Sequence, residues 1–264
     1  MPVPNTLNLP STLSLTRSGD VTVVTLNRPD KRNALNDETV LGLEHFFTHL
    51  PDDVRAVVLA AEGDHFCAGL DLAELTERNT LEGLQHSRMW HRVFEAIEFG
   101  PVPVVAALKG AVIGGGLELA AAAHVRVAER STFYAFPEGM RGIFVGGGGS
   151  VRVPRLMGAA RMADMMLTGR RYDAAEGLTA GLSQYIVEDG AGTAKALELA
   201  QQIATNSPAS NYAITQALPR IAEANPREGY FMEAMMAAIA QGSDDAKDRM
   251  RAFLDGKAQK VTDR

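Results

Sequence analysis

The chain has one cysteine, Cys67, in 264 residues. That excludes an intramolecular disulfide and a thiolate zinc cluster, and it suits a reducing compartment such as the cytoplasm. No run of about 18 apolar residues occurs, so no segment has the length to span a bilayer as a helix. Met1–Pro10 carry no Lys, no Arg and no apolar centre, which is not the pattern of a secretory signal. Positive charge is in short supply: 26 Lys and Arg face 32 Asp and Glu, a formal charge of −6. Nucleic acid and anionic membrane are therefore not expected as partners. Low-complexity segments and fixed-period repeats are also missing. What is present is 46% hydrophobic and 22% charged residues, enough to bury a large core without staples.

The apolar pattern predicts an α/β body. Leu13, Leu15, then Val21, Val23 and Thr25 alternate around Ser18-Gly19-Asp20, a hairpin signal. Asn36 followed by Asp37 and Glu38 is a helix start, and the helix should run to about His49. Val54–Ala60 and Pro103–Leu108 read as buried strands, and Leu81–Phe99 as a helix burying Trp90, Val93, Phe94 and Ile97. Short strands are expected at His124–Ala128 and Thr132–Ala135, and a weak one at Gln184–Val187. From Ala159 the pattern turns to helix after helix, so residues 1–190 read as the α/β core and 191–264 as a helical region packed on it or on a neighbour.

Glu118 is the strongest local anomaly. Apart from it and Lys109, Val102–Ala123 carry no charge, and a buried carboxylate is expensive unless paired or protonated. Three glycines, Gly114–Gly116, precede it and leave free amides at a helix start, a geometry suited to an oxyanion. Read blandly, Glu118 is a first-turn acid favoured by the helix dipole. Glu138 follows in a Pro-Glu-Gly loop before a second glycine run, Gly146–Gly149. Alone it is an ordinary loop acid; the two together suit general acid–base chemistry. Neither run is a nucleotide fingerprint, because Gly116 replaces the phosphate-loop lysine and Val151 the third dinucleotide glycine. His45 and His49 lie one helical turn apart without a third ligand, so no metal site is expected. His86 and His91 are placed on a polar helix face, Cys67 is read as a packing residue, and Lys247, Arg249, Arg251 and Lys257 alternate with acids on a solvated helix.

Four ordered segments then carry a resemblance: LNRPDKRNALN (Leu26–Asn36), DHFCAGLDLAEL (Asp64–Leu75), GAVIGGGLELA (Gly110–Ala120) and AFPEGMRGIFVGGGGSVRVPRLMG (Ala135–Gly158). Together they resemble the enoyl-CoA hydratase/isomerase superfamily, over nearly the whole chain. The resemblance implies the crotonase fold, a ClpP-like spiral of ββα units with a C-terminal helical trimerisation region. It implies homotrimers or dimers of trimers, an acyl-CoA substrate, and no tightly bound cofactor beyond the coenzyme A of that substrate.

Carried over by position, the Leu70 and Gly115 amides would form the oxyanion hole and Gly146 would position water. Arg32, Ala34, Ala68, Asp71 and Leu72 would line the coenzyme A path, with Leu70 and Gly115 touching the thioester. Phe253 and Lys257 match a further coenzyme A contact loosely, since Asp248-Arg249 replaces the family's Glu-Gly. Glu118 would be the base and Glu138 the proton donor, the two-glutamate pattern of hydratases acting on short α,β-unsaturated acyl-CoA. The alternatives are a methylthioacryloyl-CoA hydratase, an isomerase or an acyl-CoA hydrolase on the same fold, and, from another class, a non-catalytic CoA- or RNA-binding scaffold.

Overall fold

The structure is a computed structural model that describes residues 7–71, 73 and 78–256. Leu72 and Lys257 lie outside them. Two compact units divide the chain after Ala204.

The first unit is built on a six-stranded sheet. Strands β1 (Leu13–Ser18) and β2 (Val21–Leu26) form the expected hairpin. Helix α1 (Asp37–Thr48) follows, capped by the Asn36 side chain accepting from the Thr39 amide. Then come β3 (Ala56–Ala61), α2 (Thr80–Glu98) and β4 (Val104–Leu108). A short β5 (Ala111–Ile113) leads into α3 (Gly115–Ala122). Next are β6 (Val125–Glu129), β7 (Phe133–Ala135), α4 (Gly149–Met157) and α5 (Ala159–Thr168). The unit closes with β8 (Tyr172–Asp173), α6 (Ala174–Ala180), β9 (Tyr185–Val187) and α7 (Gly192–Ala204). Strand order in the large sheet is β1-β2-β3-β4-β6-β9, parallel except for the hairpin.

A second, smaller sheet, β5-β7-β8, pairs the expected β7 with two strands that the apolar pattern missed. Strands β5 and β8 have three and two residues, too few for alternation to register. Isolated bridges Leu35↔Leu70 and Cys67↔Val112 continue its line. The chain thus repeatedly leaves the large sheet, makes a short second pairing, and enters a helix. Those second pairings set out the loops of the site.

Every residue of β3 and β4 is buried, which explains their unbroken apolar runs. Val57, Leu59, Val104 and Ala106 share one cluster with Phe46, Phe94 and Ile97 from α1 and α2. Ala56, Val58, Ala60, Val105 and Ala107 share another with Ala196 and Ala200 of α7. Helix α7 therefore belongs with the sheet it covers, and the α/β unit extends to Ala204 rather than ending at residue 190.

The second unit is helical: α8 (Pro208–Tyr212), α9 (Leu218–Glu223), α10 (Pro226–Gly242) and α11 (Asp244–Leu254). A π-helical stretch, Ala213–Ala217, joins the first two. On α11 Lys247, Arg249 and Arg251 pair with Asp244, Asp245 and Asp248 at helical spacing, a solvated charged face.

Candidate active site

Glu118 reaches its place because the chain turns sharply from β5 into α3. Gly114 makes that turn at φ +53°, its amide donating to the Ala135 carbonyl at 2.9 Å. A methyl on Gly116 would lie 2.7 Å from Cys67 Cβ, so only glycine lets α3 approach the Asp64–Leu70 loop. Cys67 is buried packing, its thiol pushed up to about 12 by desolvation. All eight residues of α3 are buried, and Glu118 is 3% exposed.

Two peptide amides compensate that carboxylate. Gly147 and Gly149 N–H each donate to Glu118 Oε1 at 2.8 Å. Burial raises the Glu118 pKa, while these amides and the nearby Arg152 charge oppose the rise; the net direction is up. Glu138 arrives from β7 through Phe136 and Pro137 and stands just before a 3₁₀ turn, Gly139–Arg141, without its side chain capping it. It is buried, and its Oε2 has no hydrogen-bond partner among the described residues. Burial, reinforced by the Glu118 charge and opposed by Arg141, pushes it up to about 7. A methyl on Gly114 would lie 2.6 Å from Glu138 Oε1.

Two amides face the same space. The bridge Leu35↔Leu70 uses the Gly69 carbonyl and the Asp71 amide, which leaves the Leu70 N–H turned away from Leu35. Gly115 opens α3, so its N–H has no partner within the helix. A methyl on Gly115 would sit 3.5 Å from the Leu70 nitrogen, and one on Gly69 would sit 3.5 Å from the Gly115 nitrogen. The two donors are neighbours.

A cavity of about 300 Å³ holds all of this. Ala68, Leu70, Gly115, Glu118, Glu138 and Gly146 line it, together with Gly83, His86, Ser87 and Trp90 of α2. Trp90 forms its wall: a methyl on Gly115 would meet the ring at 2.9 Å, and Phe94 stacks edge-on behind at 5.6 Å. No cluster of three metal-ligating side chains occurs among the described residues.

At the side of the cavity, Asn33 stitches two loops. In a left-handed conformation at φ +54°, it donates to the Glu62 and His65 carbonyls at 2.8 Å each and accepts from the Arg28 amide at 2.8 Å. Arg28 pairs with Asp71 at 2.7 Å and holds its carboxyl below the usual range.

Comparison with known proteins decides what this assembly belongs to. A family model described as enoyl-CoA hydratase/isomerase matches residues 16–264. The chain belongs to the enoyl-CoA hydratase/isomerase family. It is 33% identical to a short-chain-enoyl-CoA hydratase of Clostridium acetobutylicum over 244 residues, 91% of this chain and 94% of that one. Among solved structures, a candidate enoyl-CoA hydratase from Rhodopseudomonas palustris superposes with a TM-score of 0.92 at 62% identity, over 94% of this chain and 96% of that one. An enoyl-CoA hydratase from Bacillus anthracis gives 0.88 at 29% identity, over 96% and 100%. The α/β architecture is the crotonase fold.

Of the residues singled out from the sequence of this enoyl-CoA hydratase/isomerase family member, the structure brings Glu118, Glu138, Leu70, Gly115, Gly146 and Ala68 to one cavity. Arg32 is exposed on the neighbouring loop, its carbonyl accepting from the Ala68 amide at 3.0 Å. The Ala34 carbonyl is taken by Arg28 at 2.6 Å, and the Asp71 carboxylate by Arg28 and the Ala73 amide. Phe253 is exposed on α11.

His86 and His91 correct the expectation of a polar helix face. His86 lines the cavity and pairs with Asp37 at 2.8 Å, and His91 lies part-buried beside the Gly146–Gly149 loop. Helical spacing orders residues around α2 without naming what each face meets. Trp90 is legible only as a core residue, and the Arg28–Asn33–Asp71 brace is not legible, although Asn is, after glycine, among the residues most at home in the left-handed region.

Proposed function

We propose that this chain is an enoyl-CoA hydratase adding water across the double bond of a short α,β-unsaturated acyl-CoA. The observation that carries it is the convergence on one cavity of two buried carboxylates and two amides with no hydrogen-bond partner among the described residues. The thioester oxygen accepts from the Leu70 and Gly115 N–H groups, which stabilise the enolate as it forms. Water lies between Glu118 and Glu138, against Gly146. Glu118 takes a proton from it as its oxygen attacks Cβ, and Glu138 delivers a proton to Cα. The environments suit these roles: Glu118 has two amides ready for its anion, whereas Glu138 has none on Oε2 and stays protonated to about 7. The cavity's size and its Trp90 wall favour a short acyl group.

Crotonyl-CoA should lose its enone absorbance and gain the mass of one water. Its kcat should fall above about pH 7, as Glu138 loses the proton it must donate, and fall again in acid, as Glu118 becomes protonated. Double-bond migration without a water adduct, across a panel of enoyl-CoAs, would make the protein an isomerase.

The proposal includes a homotrimer or dimer of trimers. Tyr212, Ile214, Leu218, Tyr230, Phe231 and Ile239 of the second unit are exposed large apolar side chains, more than a solitary helical surface carries at no cost. Light scattering should return three or six times the chain mass of 28.3 kDa; a monomer at micromolar concentration contradicts it. Coenzyme A enters only as part of the substrate, with no resident cofactor. No helix among the described residues is long and apolar enough to cross a membrane, and the single free thiol supports a cytoplasmic setting.

A further inference from the structure

We infer that Arg152 is a positioning residue for Glu118, anchoring the glycine loop that holds its carboxylate. This rests on the hydratase reading, since Glu118 is the base of that reaction. Arg152 lies in the first turn of α4, with a side chain 7% exposed. Its Nε donates to Glu98 Oε2 at 2.6 Å, at the end of α2, and its Nη1 donates to the Gly147 carbonyl at 3.1 Å. The Gly147 amide donates in turn to Glu118 Oε1. A continuous chain of contacts therefore runs from α2 through Arg152 and the loop to the base.

The loop needs such an anchor. Four consecutive glycines, Gly146–Gly149, have almost no conformational preference of their own, yet two of their amides must meet one carboxylate oxygen. Gly148 is left-handed at φ +95°, and a methyl on it would collide with Arg152 Nη1, so the loop is folded around the guanidinium. A planar fork can bind the Glu98 carboxylate and the Gly147 carbonyl at once; an ammonium cannot hold both in one fixed geometry.

The charges around this chain are few. Glu118 faces Glu138 and Arg152. Arg152 faces Glu98, which Arg155 also approaches at 3.7 Å, and His91, whose proton affinity is lowered by burial and then by Arg88 and Arg152 against Glu95. The Arg152 charge favours the Glu118 anion, so its loss moves the Glu118 titration upward.

The test measures kcat, KM, the pH–rate profile and the thermal midpoint for Arg152→Gln, Arg152→Lys and Glu98→Gln. Arg152→Gln should lower kcat about 10²-fold with KM nearly unchanged, the cost of misplacing a catalytic group by about 1 Å. Its acid limb should move to higher pH. Arg152→Lys should keep the limb near its wild-type position while losing part of kcat, because the charge stays and the fork goes. A folded Arg152→Gln enzyme with wild-type kcat and acid limb overturns the inference, whatever its thermal midpoint. If Arg152→Gln does not fold, the other two variants decide: reduced kcat at unchanged KM in both upholds the inference, and wild-type kcat in both overturns it. If the wild-type protein hydrates no enoyl-CoA, the hydratase reading falls. The Arg152 inference is then read from the infrared titration of the carboxyl band that Glu118→Gln removes. An upward shift of that band in Arg152→Gln sustains it, and an unshifted band in Arg152→Gln overturns it.

Discussion

Exchange of Glu118 for Gln should lower kcat for hydration by about 10²–10⁴-fold, and exchange of Glu138 should do the same, because each removes one positioned proton transfer. Gln keeps the size of the side chain and an oxygen that can accept from the Gly147 and Gly149 amides, so the site keeps its shape. Binding of a product acyl-CoA should change little. Thermal stability of the Glu138 variant should differ from wild type with pH. The Glu138 carboxyl binds its proton more tightly folded, at about 7, than unfolded, at 4.5. The native state thus holds the extra proton across that window, and wild-type stability falls as pH rises through it. Glu138→Gln removes this loss, so the variant should gain on wild type in thermal midpoint between pH 5 and pH 8. Were Glu118 merely a first-turn acid, its exchange would cost about 0.3–1 kcal/mol of stability and spare turnover. Were Glu138→Gln to keep near wild-type hydration while Glu118→Gln did not, a single-base mechanism would replace the paired one.

Gly115→Ala should cost about 10²–10³-fold in kcat, the usual loss when one oxyanion donor is spoiled. The added methyl would lie 3.5 Å from the Leu70 nitrogen, in the space where the thioester oxygen must sit, and 2.9 Å from Trp90 Cζ3. Alanine is otherwise welcome at the start of a helix, so the backbone of α3 should persist and only the Trp90 ring need yield. Loss of kcat should therefore exceed any loss of thermal midpoint. Wild-type kcat in a folded Gly115→Ala enzyme would place the oxyanion elsewhere.

Much of this site is legible in the amino-acid sequence alone. An uncharged stretch interrupted by Glu118, glycine runs before two acids, and four segments in family order pointed to the cavity that forms. The supports around it did not. Arg28, Asn33, Glu98 and Arg152 are common polar residues whose partners lie far along the chain: 43 residues separate Arg28 from Asp71, and 54 separate Arg152 from Glu98. Nothing in a local pattern distinguishes such a residue from one facing water.

Local chemistry determined the elements whose causes are local: the β1–β2 hairpin from alternation around a turn, α1 from its Asn36 cap, and β3 and β4 from apolar runs buried on both faces. It also singled out Glu118, the one acid in the apolar stretch Val102–Ala123, and the structure buries it. Only the tertiary structure decided that α7 covers the large sheet and belongs to the first unit. It alone brought the Leu70 and Gly115 amides side by side and closed the Gly146–Gly149 loop over Glu118. Periodicity states which face of an element is apolar and never which element will meet it; that choice is made by packing between segments far apart in the chain.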